Sequence, residues 1–224
     1  MPLTHFDSIF EQAAQRKGGE AALRDLLPKP KSKTALRRVS DAACLEEMTK
    51  CIFRSGFVWR VIENKWEGFQ QAFDQFDVTG CSLLAEEDLE RLAQDASIVR
   101  NAPKIATVPR NAQFVLAVRE EHGSFARYLS DWPPTDFVGL WSDLKSRGAR
   151  LGGQTGRYFL RFVGYDSPLL SPDVVRALIH EGVVDKEPTS KKGLAATQAA
   201  FVAWHEESKF PMSAISRVLA CTQP

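Results

Sequence analysis

The chain has 224 residues, enough to bury one full core. Lys and Arg number 29 against 28 Asp and Glu, so net charge points to no acidic partner, and a nucleic-acid site must come from a local basic patch. Hydrophobic residues make up 44% and charged residues 25%, ordinary for a globular protein, and no apolar run approaches the ~20 residues of a membrane span.

Cys44, Cys51, Cys81 and Cys221 are scattered, without metal-ligand or disulfide-framework spacing, and read as buried thiols of a reducing compartment. The first residues lack a basic stretch followed by an apolar run, so no signal peptide is expected and the location expected is cytoplasmic.

In chain order the pattern is helical, with little that reads as strand. Ile9, Phe10, Ala13 and Ala14 share one side of a helix over 7–16, and Gly18-Gly19 separates it from a short helix over 20–27. The basic linker Pro28-Lys-Pro-Lys-Ser-Lys follows, which divides the chain into a small helical appendage, 1–34, and a main domain, 35–224. Asp41 is the expected cap of a helix running towards Phe53. Trp59, Ile62, Trp66, Phe69 and Phe73 recur at three- and four-residue steps, one wide apolar face over 58–73. Residues 104–122 read as one long helix that tolerates Pro109 near its start, and 138–147 as a helix that stops at Gly148. Ser171-Pro-Asp is a helix start with Ser171 as cap, and helices over 194–208 and 212–221 complete an all-α chain.

The stretch from Lys145 onward carries the clearest chemistry. A helix ending in Lys145-Ser-Arg-Gly, a tight turn containing Gly152 and Gly153, and a second helix expected over 157–163 form a helix-hairpin-helix pattern. Turn amides at a helix N-terminus can face a phosphate, and Lys145, Arg147, Arg150 and Arg157 place positive charge around them.

Several separated motifs, in order, resemble one family. Phe53-Arg-Ser-Gly-Phe-Val-Trp59, then Lys65, Phe69, Ala72-Phe73 and Phe76-Asp77, are similar to a stretch of the DNA-3-methyladenine glycosylase I family that reads Gly-Leu-Ser-Trp and ends in Phe-Asp. Asp88-Leu-Glu-Arg-Leu, Asp95, Ile98, Arg100-Asn101, Lys104-Ile105 and Asn111-Ala112 match in spacing, and Leu144-Lys-Ser-Arg-Gly, Gly153, Thr155 and Tyr158 resemble its hairpin. The likeness runs from about Asp41 to Val175, and the residues before it do not match.

The resemblance implies the helical glycosylase fold and base excision: an alkylated purine such as 3-methyladenine is flipped out of duplex DNA and its N-glycosidic bond hydrolysed. It also implies site residues. Trp59, with Cys51 and Phe53, would line the base pocket; the alternative for Trp59 is a core tryptophan. Arg54, Phe57, Lys145, Gly152, Gly153, Thr155, Gly156 and Arg157 would face DNA, Phe57 as a wedge in the gap left by the flipped base.

Two departures stand out. The family's pocket glutamate, eight residues before its tryptophan, falls at Cys51, or at Ile52 if the turn carries a one-residue deletion, and neither is a carboxylate. Its zinc positions fall at about Asp173 and Ala177, with only His5 near the N-terminus, so neither a zinc ion nor any other cofactor is expected. Asp173, near the slot for a catalytic aspartate in the wider superfamily, and Glu47, with Glu46 beside it, are the candidate carboxylates; each is equally an ordinary helix residue. A cationic alkylated base is already a good leaving group, so loss of the acid need not abolish activity; it points to a narrow substrate range or to no catalysis at all. The expected protein is a monomeric enzyme acting on double-stranded DNA, away from membranes; the alternative is a catalytically reduced module that binds damaged DNA.

Overall fold

The computed structural model describes residues 3–223, and among them every regular element is a helix. The chain divides into two compact units, one of residues 3–31, 133–140 and 164–223, the other of 32–132 and 141–163. No helix among the described residues is long and apolar enough to cross a membrane.

The first unit ties the two ends of the chain together. The helix Phe6–Lys17 buries Phe6, Ile9, Ala13 and Ala14 and packs on the helix Met212–Cys221. Phe210 meets Phe6 and Phe10 at ring separations of 5.6 and 5.5 Å. The Trp204 indole N–H donates to the Thr4 carbonyl at 2.9 Å, and the Phe6 amide to the Glu207 carboxylate at 3.0 Å. The apolar face seen over 7–16 thus needs a partner, and the partner comes from the C-terminal helices. The first segment of this unit ends at Lys31, and 164–223 groups with the N-terminal helices.

The second unit centres on the helix Asp41–Arg54, which packs on Thr107–His122 and Gly153–Val163. Ser40, in extended backbone, caps it, its hydroxyl accepting from the Ala43 amide at 3.1 Å. Asp41, the expected cap, sits inside the first turn and instead accepts from the Phe125 amide at 2.8 Å.

The apolar face over 58–73 belongs to two helices, Trp59–Glu63 and Trp66–Ala72. Between them Lys65 leaves helical geometry and its ammonium bonds the Ala96 carbonyl. A Cβ on Gly68 would stand 2.5 Å from the Ser97 carbonyl oxygen, so glycine lets that turn dock. The redirected second helix stacks Trp66 on Phe69 and Phe76, at 5.0 and 5.8 Å.

The long helix expected over 104–122 also divides, into Ala102–Ile105 and Thr107–His122. Pro109 then falls in the first turn of the second piece, where its missing N–H leaves no helical bond unmade.

The hairpin joins Phe137–Arg147 to Gly153–Val163, and the second helix begins four residues before its expected start at Arg157. Arg150 and Gly153 take left-handed backbone, with φ of 59° and 60°. A Cβ on Gly156 would lie 2.1 Å from the Leu151 carbonyl oxygen, so only glycine permits this close return of the turn. Asn111, fully buried, clamps the turn from the neighbouring helix: its amide N–H donates to the Ala149 carbonyl at 3.1 Å, and its oxygen accepts from the Ala149 amide at 2.7 Å. Asn111→Ala strands both buried groups of Ala149. It is expected to destabilise the protein by about 2–4 kcal/mol in urea unfolding; a loss below about 1 kcal/mol would show that the turn holds itself.

Candidate functional site

Beside the end of the Asp41–Arg54 helix lies a cleft of about 320 Å³, at the lower end of the ~300–1,000 Å³ range of small-molecule sites. Three segments of the second unit build it. Cys51 and Arg54 come from the last turn of that helix, Gly56, Phe57 and Trp59 from the turn after it, and Thr155, Tyr158 and Phe162 from Gly153–Val163. Thr155, Tyr158 and Phe162 stand one helical turn apart in succession, so they present one stripe to the cleft.

Trp59 meets Tyr158 edge-on at 5.4 Å and 85°, and Phe162 at 5.9 Å and 76°, while Tyr158 and Phe162 stack at 5.7 Å and 20°. Trp59 remains 42% exposed, too open for a core tryptophan. Such a corner of aromatic faces takes a flat or cationic ligand by stacking and cation–π attraction, worth about 0.5–2 kcal/mol per contact.

Of the residues expected in the pocket, Cys51 and Trp59 line the cleft and Phe53 does not. Phe53 is fully buried on the opposite side of the helix, edge-on to Phe69 at 4.6 Å. Burial pushes the Cys51 thiol well above its usual value, and the Glu47 carboxylate beside it adds to the rise. Cys51 is therefore a protonated donor, bonded to Glu47 Oε1 at 3.5 Å, not a nucleophile.

Glu47 stands one turn before Cys51 and contacts two residues of the cleft wall, Cys51 and, at 3.5 Å, Arg54. Burial raises its carboxyl above the ordinary glutamate value, against the opposing pull of the Cys51 hydrogen bond and the charges of Arg54 and Lys50. Glu46 is engaged elsewhere, accepting from the Trp66 indole at 2.7 Å and the Gln70 amide at 2.8 Å.

Asp173 belongs to the first unit, whereas the cleft is built by the second. It occupies the first turn of Pro172–His180, pairs with Arg176, and follows Ser171, whose hydroxyl caps the Val174 amide at 3.3 Å.

Arg54 is not splayed into solvent. Its guanidinium lies 5.0 Å from the Trp59 ring centre and 4.9 Å from that of Phe162, and its Nε donates to Glu63 at 3.0 Å. Phe57 is 38% exposed at the lip of the cleft, with the Lys104 ammonium 4.6 Å from its ring. Lys104 is buried and donates to the carbonyls of Phe53 and Ser55, which pins the turn to the end of the helix. Burial, and secondarily the charge of Arg150, lower its pKa.

Around the hairpin, Lys145 and Gly153 are exposed, with open space about the Gly153 Cα. Gly152 rests on the Lys145 stem, where a Cβ would come within 3.0 Å. Arg157 stacks on Trp141 at 4.2 Å, and Arg147 pairs with Glu121 at 2.8 Å.

The residues at the zinc positions do not fit a zinc ion. Ala177 has no donor atom, Asp173 pairs with Arg176, and His5 hydrogen-bonds Glu207 at 3.2 Å. Among the described residues no three His, Cys, Asp or Glu side chains stand together as a metal site.

Tyr158, Phe162 and Glu63 escape a reading of the sequence as parts of one site. Tyr158 and Phe162 carry a signal, an aromatic pair at helical i, i+4 spacing just after the glycine-rich turn. Glu63 carries none, since its pairing with Arg54 depends on how the intervening turn folds.

The family model for methyladenine glycosylase matches residues 35–139. DNA-3-methyladenine glycosylase 1 of Escherichia coli is 30% identical over 96 residues, 43% of this chain and 49% of the relative. The chain spans about half the length of the curated relatives it matches. A crystal structure of 3-methyladenine DNA glycosylase I superposes with a TM-score of 0.50 at 25% identity, covering 65% of this chain and 87% of that one. The 8-oxoguanine DNA glycosylase of Thermotoga maritima shares the fold over 96% of this chain and 95% of its own, with a TM-score of 0.51 at 16% identity. Residues 35–139 are thus similar to methyladenine glycosylases, on a helical fold shared with solved DNA glycosylases.

Proposed function

We propose that the protein is a base-excision glycosylase that hydrolyses the N-glycosidic bond of alkylated purines such as 3-methyladenine in double-stranded DNA, in the cytoplasm. The observation that carries this reading is the aromatic corner of Trp59, Tyr158 and Phe162 opening between the 54–59 turn and the hairpin helix. The four buried cysteine thiols suit a reducing compartment.

In this mechanism the hairpin positions the DNA backbone through Lys145 and the open turn at Gly153. Phe57 enters the gap from which the base has left the stack, and the base lies against Trp59. The C1′–N bond then breaks with its electron pair leaving on the base, which neutralises a cationic alkylated purine. The sugar becomes cationic at C1′, water adds its oxygen there, and a proton is released. The Glu47 carboxylate, behind Cys51, lowers the cost of the positive sugar.

A second reading, damage recognition without chemistry, is favoured by one observation: no carboxylate is among the residues lining the cleft. A duplex carrying one alkylated adenine separates the two. The glycosylase leaves an abasic site cleaved by alkali, whereas the recognition module leaves the strand intact.

For the hairpin, Lys145→Ala is expected to weaken duplex binding irrespective of sequence and to make the log–log salt dependence shallower by about one unit. An unchanged slope would remove Lys145 from the phosphate contacts.

A further inference from the structure

The cleft already contains a cation. The Arg54 guanidinium stands about equally far from the ring centres of Trp59 and Phe162, at 5.0 and 4.9 Å, and its side chain is 14% exposed. It is held there by Glu63 and Glu47. Lys50 completes the cluster, 3.0 Å from the other Glu63 oxygen. Two cations therefore face two carboxylates, and no net negative charge is left to draw in a third cation. At Glu63 partial burial pushes the carboxyl up, but hydrogen bonds and charges from Arg54 and Lys50 outweigh it and hold it below its ordinary value, so both pairings stay charged at neutral pH.

We propose that Arg54 is a specificity-determining residue: its guanidinium occupies the cation seat between Trp59 and Phe162, so a positively charged base must displace it whereas a neutral base need not. This rests on reading the cleft as a base pocket. Cation–π attraction is a property of the ring face, and a face engaged by guanidinium offers less to a second cation, which also meets like charge in a poorly solvated place. A planar guanidinium, unlike a lysine ammonium, both stacks and bonds Glu63 in the plane, which makes it a firm occupant. Arg54 thus tunes the cleft between cationic lesions, which need it to withdraw, and neutral ones, which stack beside it.

The test compares the intact protein with Arg54→Gln and the charge-retaining Arg54→Lys, using two small probes in calorimetric titrations: N-methylpyridinium, an aromatic cation, and pyridine at pH 8, its neutral counterpart. Arg54→Gln is expected to bind N-methylpyridinium about tenfold tighter than the native protein, with pyridine affinity unchanged and Arg54→Lys falling between native and Arg54→Gln. An equal gain for both probes would mean that only space was made, and no gain for the cation would mean that the seat does not exist; either result overturns the proposal. If Arg54→Gln does not fold, Arg54→Met, which keeps the packing of the stem, carries the same comparison. In duplex DNA the same variant should raise the rate of 3-methyladenine release relative to hypoxanthine release. If no base of either kind is released, the glycosylase reading fails, while the probe titrations still decide what Arg54 does.

Discussion

Glu47→Gln is expected to lower the single-turnover rate of base release by about 100-fold, the scale of one well-placed charged group, while leaving duplex affinity unchanged. Glu47 is the carboxylate one helical turn before Cys51, in contact with its thiol. Burial raises the Glu47 carboxyl above its ordinary value of 4.5. If the ionised form supports the sugar cation, the rate falls as pH drops through that raised value, and the acid limb disappears in the Gln variant.

Stability moves with a defined sign. A carboxyl whose folded pKa is raised holds its proton more tightly when folded, so its contribution is fully present below 4.5 and is lost as pH rises through the folded value. Glu47→Gln should therefore lose less stability than the native protein between acid and neutral pH. A variant with the native rate and the native acid limb would make Glu47 a structural partner of Cys51 and Arg54 only.

Trp59→Ala is expected to reduce kcat/KM for an alkylated purine by about 10–100-fold, as removal of a base-stacking aromatic does. Stability should change little, because the Trp59 ring is 42% exposed and its contacts with Tyr158 and Phe162 are at the surface of the unit. A fully buried tryptophan such as Trp204 would behave in the opposite way, with a large loss of stability. Unfolding that shifts by several kcal/mol, with base release by the remaining folded protein unchanged, would reassign Trp59 to the core. Since the same ring face holds the Arg54 guanidinium, this substitution also releases Arg54.

Part of this site is legible in the chain because short-range order determines it. Cys51, Arg54 and Trp59 sit at the end of one helix and in the turn after it, and Gly153, Thr155 and Gly156 in one helix start, so their neighbourhood is set within a few residues. Ser171 caps its helix as its position before Pro172 requires. Phe53 shows the limit of such reading: it precedes Arg54 directly, yet the helical rotation of about 100° per residue turns it into the core against Phe69.

Contacts across many residues are hidden for a different reason. Phe162 meets Trp59, and Asn111 meets Ala149, through packing that no local pattern encodes. The break before Trp66 follows from docking of Gly68 on the 95–97 turn and not from any helix-breaking residue. The N-terminal helix displays its apolar side in its spacing, but nothing in that spacing names the helix Met212–Cys221 as the partner.

The most direct test of the glycosylase account is chromatographic detection of free base released from methylated duplex DNA by the purified protein, with a metal chelator present and duplex binding recorded in the same samples. A zinc-independent glycosylase releases 3-methyladenine at a rate that the chelator does not change. Full duplex binding with no free base would contradict the glycosylase account, and would make the aromatic cleft a reader of alkylated DNA instead of an enzyme's pocket.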